Sequence, residues 1–166
     1  MFPSSMKHSP APGRTTPLRV IHPVGVATLV LLTLSACGGG GDDAGGAASN
    51  VGVTLKEWEV VLDEGSATGG DVTFDIKNDG KETHEFVVIK TDLDATELPT
   101  AADGSVDEAG SGMEVVDEVE DLPSGQAQQL TVNLDGGNFV LICNIVEKAE
   151  DVSHYQNGMR TDFTVE

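Results

Sequence analysis

Apolar residues recur at every second position through much of the chain after position 50, and that period dictates which element it can build. Val51, Val53 and Leu55 alternate with small or polar residues, and Trp58, Val60 and Leu62 continue the pattern. Val72, Phe74 and Ile76 alternate with Thr73, Asp75 and Lys77, and Leu130, Val132 and Leu134 repeat the theme. This spacing lines one face of a half-buried strand, whereas a helix repeats every third or fourth residue. His84-Glu85-Phe86-Val87-Val88-Ile89 is more continuously apolar, as in a strand covered on both faces, and Phe139-Val140-Leu141-Ile142-Cys143 forms the most hydrophobic strand of the domain. Asp162-Phe163-Thr164-Val165 supplies a last strand. Gly65 to Gly70, Asn78-Asp79-Gly80-Lys81 and Asp135-Gly136-Gly137 punctuate the strands with turns. Residues 92–121 are rich in Asp, Glu, Gly and Ala and hold one apolar patch, Met113-Glu114-Val115-Val116. They read as a long solvated excursion carrying at most one short helix or edge strand. About seven to eight short strands predict an all-β domain over residues 51–166, a Greek-key β-sandwich or barrel.

The N-terminus reads as an address. Residues 1–19 contain Lys7, Arg14 and Arg19 and no acid, and an uncharged apolar stretch is densest over Val24–Ala36. Thirteen residues are too short for a comfortable membrane span but suit the core of a signal peptide. The stretch ends in Leu34-Ser35-Ala36-Cys37, followed by four glycines. That sequence resembles the lipobox of bacterial lipoproteins, which implies a signal peptide over residues 1–36 and lipidation of Cys37. Two or more acyl chains anchor stably where one is marginal. A plain secretory signal or a short retained anchor is the competing reading, and Met6 serves as a start as well as Met1. Residues 37–50, Gly-rich and without apolar period, read as a flexible tether with a reach of about 20 Å. The expected location is the extracytoplasmic face of a bacterial membrane.

Charge narrows the partners. After Cys37 the chain has six Lys and Arg against 28 Asp and Glu, a formal −22 with His neutral. This argues against nucleic acid, whose phosphates demand cations, and against docking of the folded surface on anionic lipid. An acidic shell either steers toward a partner with a basic docking patch or serves only to keep the protein soluble.

Beyond Cys37 the soft donors are few: Cys143, His84, His154, Met113 and Met159. A single thiol in an exported domain forms no internal disulfide and is a liability in an oxidising compartment unless buried or occupied. Cys143 ends the most apolar strand, where a thiol also serves as a small hydrophobe, so that reading stays open. Its company weighs against it. Cys143, His154 and Met159 follow the spacing C-x10-H-x4-M, and His84 begins the other strongly apolar strand. Cys143, Leu141 and Phe139 share one face, as do His84, Phe86 and Val88, so two adjacent strands can bring thiol and imidazole to one rim. One thiolate, two imidazoles and a weak thioether are the donors of a trigonal copper site with a distant axial sulfur. Zinc also takes Cys and His, but an oxidising exterior and a placed thioether favour copper. Met113 is read as packing filler, and Trp58 and Tyr155 as packing anchors rather than electron relays.

Val72–Gly80, Thr83–Val88, Leu141–Ile145 and His154–Met159 resemble the corresponding segments of the cupredoxins, above all the bacterial membrane-anchored, plastocyanin-like group. The resemblance covers about residues 51–166. It implies a type 1 (blue) site holding one Cu(I)/Cu(II) ion, with His84, Cys143 and His154 equatorial and Met159 weakly axial. It further implies a membrane-tethered carrier of single electrons, acting as a monomer. Two departures stand out. Val146–Ser153 lengthens the Cys-to-His loop with an acidic insert of helical character, where typical members have only a few residues. Glu85 follows His84 where many electron-transfer members carry a small amide, which leaves hydrogen bonding around the thiolate open.

No nucleophile elbow, phosphate loop or Ser-His-Asp arrangement points to an enzyme. A binuclear copper centre needs two bridging cysteines, and the domain has one. Two alternatives to the electron carrier remain: an extracytoplasmic copper-binding or delivery module without redox cycling, and a metal-free interaction domain on the same fold.

Overall fold

The structure, a computed structural model, describes residues 48–166. The expected signal peptide, Cys37 and nearly all of the tether lie outside the described residues. The strands are β1 Ser49–Lys56, β2 Glu59–Leu62, β3 Ser66–Ala67, β4 Gly70–Asn78, β5 His84–Thr91, β6 Met113–Leu122, β7 Ala127–Leu134, β8 Gly137–Ile142, β9 Val146–Glu147, β10 Val152–Ser153 and β11 Arg160–Val165. The one-turn helix α1 spans His154–Asn157. No helix among the described residues is long and apolar enough to cross a membrane.

Two sheets form a sandwich, with strand orders β2-β1-β4-β7 and β3-β11-β8-β5-β6. Most pairs are antiparallel; β1 with β4 and β3 with β11 are parallel. The alternation read from the sequence sets the inner faces. Val51, Val53, Leu55, Val72, Phe74 and Ile76 are buried against Phe86, Val88, Phe139, Leu141 and Phe163. The phenyl rings of Phe74, Phe86 and Phe163 meet at centroid separations of 5.2 and 5.5 Å. Pairing begins at Ser49, two residues before the first alternating valine, and the Gly65–Gly70 turn contains the two-residue strand β3.

The acidic stretch 92–121 departs from expectation. Its last third is an edge strand, one of the two alternatives expected there, but a long one: most of the ten-residue β6, paired along β5. The remainder is not solvated throughout. Ala95, Leu98 and Val106 are buried over Val87, Ile89, Val140 and Ile142, the outer face of the five-stranded sheet. This is why β5 and β8 are apolar at nearly every position. Three scattered apolar side chains suffice because the Tyr155 hydroxyl donates to the Ala95 carbonyl at 2.8 Å and accepts from the Leu98 N–H at 3.3 Å. Met113 packs at the edge of the same cluster.

Candidate metal centre

β5 and β8 run antiparallel with Val87 opposite Ile142, so the start of β5 and the end of β8 lie at the same rim. His84 heads β5 on the face of Phe86, and Cys143 follows β8 on the face of Leu141, as their spacing requires. The loop beyond Cys143 returns to that rim through backbone bonds. The His154 N–H donates to the Ile145 carbonyl at 2.9 Å, the Met159 N–H to His154 at 3.0 Å, and the Cys143 N–H to Met159 at 3.0 Å. Residues 143–159 are thus a closed ring rather than an open excursion.

The insert Val146–Ser153 is not helical. Its ends pair as the hairpin β9–β10, with Val146 opposite Ser153, and the helical turn begins only at His154. Ser153 caps that turn, accepting from the Gln156 N–H, while its hydroxyl donates to the Gly104 carbonyl. Gly158 ends it at φ 122°, a conformation a side chain resists, and a Cβ there would lie 3.0 Å from the Trp58 carbonyl oxygen.

These constraints bring three donor atoms together. His84 Nδ1 and His154 Nδ1 lie 3.2 Å apart, and Cys143 Sγ lies 3.9 and 3.3 Å from them. All three side chains are fully buried, as is Met159. The circle through the three atoms has a radius of about 2.0 Å, close to ordinary metal–imidazole (about 2.0 Å) and metal–thiolate (about 2.3 Å) bonds. The three atoms are therefore spaced to hold one first-row ion between them. Met159 packs in the same core as Cys143, with its backbone bonded to both Cys143 and His154.

The surroundings show what the sequence left open. Glu85 takes the amide's place: its N–H donates to Cys143 Sγ at 3.3 Å, and its carboxylate accepts from the Asn144 N–H at 2.8 Å. The side chain of Asn144 then bonds both the N–H and the carbonyl of Val106, tying the site to the long loop. Burial pushes the Glu85 carboxyl up to about 7, opposed by its bond from Asn144 and reinforced by Glu108, Glu118 and Glu120. Burial likewise pushes the Cys143 thiol up to about 12, so without metal it keeps its proton. His84 is held below the usual imidazole value, first by burial and then by His154, against the pull of Glu57.

Two flanking carboxylates were not singled out from the sequence. His84 Nε2 lies 3.2 Å from Glu57 Oε1, and His154 Nε2 lies 3.4 Å from Glu147 Oε1. Trp58 stacks edge-on against the His154 ring at 5.2 Å. Neither glutamate has a spacing signal, because each is 27 or 7 residues from the histidine it meets.

No family model matches the chain, and no curated protein does. Among solved structures it is similar to rusticyanin from Thiobacillus ferrooxidans, with a TM-score of 0.52 and 16% identity over 73% of this chain and 79% of that one. It is also similar to auracyanin A, described as a "blue" copper protein from the green thermophilic photosynthetic bacterium Chloroflexus aurantiacus. There the TM-score is 0.50 and the identity 15%, over 72% of this chain and 100% of the other. The fold is the cupredoxin β-sandwich.

Proposed function

We propose that this cupredoxin-fold chain is a mononuclear blue copper protein, tethered outside the cytoplasm through lipid on Cys37, that carries single electrons between redox partners rather than catalysing a reaction. The observation that carries the reading is the buried triangle of two imidazole nitrogens and one thiol sulfur, sized for one ion. Copper, when bound, supplies a one-electron couple between Cu(I) and Cu(II) that suits a soft thiolate and two imidazoles together.

The chain's own residues do the rest. His84, Cys143 and His154 would hold the ion, with Met159 as a further, weaker donor. Strand pairing and the ring of backbone bonds hold the donors in one geometry, which limits rearrangement between oxidation states. Burial of all four side chains keeps water from the ion. The Glu85 N–H bonds the sulfur and moderates its charge.

Charge supports a reading of the partner. A surface depression of about 670 Å³ beside the site is lined by Glu57, Trp58, Glu82, Glu147, Lys148 and Glu150, among others. Its acidity supports approach by a redox protein with a basic patch, with electron exchange weakening as salt rises.

The test is visible absorption and electron paramagnetic resonance of the full chain with one equivalent of Cu(II). An intense thiolate-to-copper band, bleached by ascorbate and restored by ferricyanide, is expected. A band that decays irreversibly would favour copper binding or delivery. No band, with Cys143 still reactive to a thiol reagent after mild unfolding, would overturn the copper reading.

A further inference from the structure

We infer that Glu57 and Glu147 are positioning residues that fix the tautomer of both imidazoles and weight the site toward Cu(II). The inference rests on the copper reading above for its second half only. Each histidine turns Nδ1 toward Cys143, so each Nε2 faces away, and each meets a carboxylate at 3.2 or 3.4 Å. An ionised carboxylate only accepts, so each Nε2 carries the hydrogen, and in the neutral ring Nδ1 then keeps its lone pair toward the common point.

The two carboxylates are delivered by different devices. Glu57 lies in the turn between β1 and β2, and its Oε1 also accepts from the Lys81 N–H at 2.7 Å and the Glu82 N–H at 2.9 Å. Those donors hold its carboxyl below the usual carboxylate value. Gly80 leaves the space for this contact. A Cβ there would lie 2.8 Å from His84 Nε2 and closer still to Glu57 Oε1. Glu147 comes from the insert. The β9–β10 pairing folds Val146–Ser153 back so that Glu147 meets the far edge of His154. The lengthened loop thereby acquires a role: it carries a negative charge across the ring it would otherwise merely precede.

A carboxylate on the far nitrogen makes imidazole a stronger donor and places negative charge near the ion, which favours the more highly charged oxidation state. Removing either charge should weaken Cu(II) binding relative to Cu(I).

The test uses the full chain in detergent with Glu57→Gln, Glu57→Ala, Glu147→Gln and Glu147→Ala. Nitrogen-15 NMR of the metal-free protein should show both rings protonated at Nε2. Each Ala variant should disturb its own ring, and each Gln variant, whose amide oxygen still accepts, should preserve it. Separate competition titrations with Cu(II) and Cu(I) should show the affinity ratio moving toward Cu(I) by about tenfold in each Gln variant, which is 59 mV for a one-electron couple. Nδ1 protonation in the wild type overturns the tautomer assignment. A ratio changed less than twofold in both Gln variants overturns the weighting. Failure of the wild type to bind copper overturns the copper reading instead, and the ring spectra alone then decide the positioning.

Discussion

The two sheets of the sandwich share one core but treat their outer faces in opposite ways. On the four-stranded sheet the outer face is a polar ladder. Thr73 and Thr131 share a hydrogen bond at 2.9 Å, the Gln129 amide donates to Asp75, and the Asn133 amide donates to Asp71 at 2.8 Å. On the five-stranded sheet Val87, Ile89, Val140 and Ile142 lie wholly buried under Ala95, Leu98, Val106 and Tyr155. The candidate metal centre grows only from the doubly covered sheet. A strand buried on both sides has its backbone fixed from two directions, and the donors at its end inherit that rigidity. A site that must hold three donors within a few tenths of an ångström needs such support.

The comparison breaks hardest at the donors themselves. Cys143→Ser should abolish the charge-transfer band and lower copper affinity by more than about 100-fold, beyond what loss of a ligand's partner causes, as measured by competition titration. Ile142→Ala, under the long loop, should cost about 2–5 kcal/mol in urea unfolding of the metal-free protein, the usual range for such truncations. The same measurement on Thr131→Ala, in the ladder of the other sheet, should give a change within about 0.5 kcal/mol. Equal costs at the two positions would erase the distinction drawn between the outer faces.

Proton linkage sharpens the comparison further. Because burial pushes the Cys143 thiol up to about 12 without metal, copper held by its thiolate would displace that proton. Apparent Cu(I) affinity should therefore rise about tenfold per pH unit between pH 7 and 9, and flatness across that window would place the thiolate outside the site.

Glu85 should make the fold itself pH-dependent. Its folded-state value of about 7 exceeds the ordinary 4.5, so the folded state holds the proton more tightly. The resulting stabilisation is complete below pH 4.5 and is lost as pH rises through 7. Glu85→Gln should flatten this part of the stability–pH curve of the metal-free protein without flattening the decline due to overall charge.

Much of the molecule was legible before folding was considered. Alternation named the inner faces of β1, β4 and β7, and the continuous apolar run of β5 marked it as covered on both sides, while β8 stood out only as the most hydrophobic strand. The sharing of one face by Cys143, Leu141 and Phe139, and by His84, Phe86 and Val88, placed thiol and imidazole at one rim. The long acidic stretch was misread for a physical reason. Ala95, Leu98 and Val106 have no period, and what buries them is the outer face of a sheet far along the chain.

Side-chain period and residue chemistry are local properties, and they suffice to give the set of strands and the donors at their ends. Everything that reaches those donors from elsewhere depends on how the chain packs. The insert became a hairpin rather than a helix because its ends pair across to each other, Val146 with Ser153. Glu57 and Glu147 became partners of the two histidines because a turn and that hairpin close over them. Such contacts depend on where distant backbone segments come to rest, and no spacing along the chain encodes that.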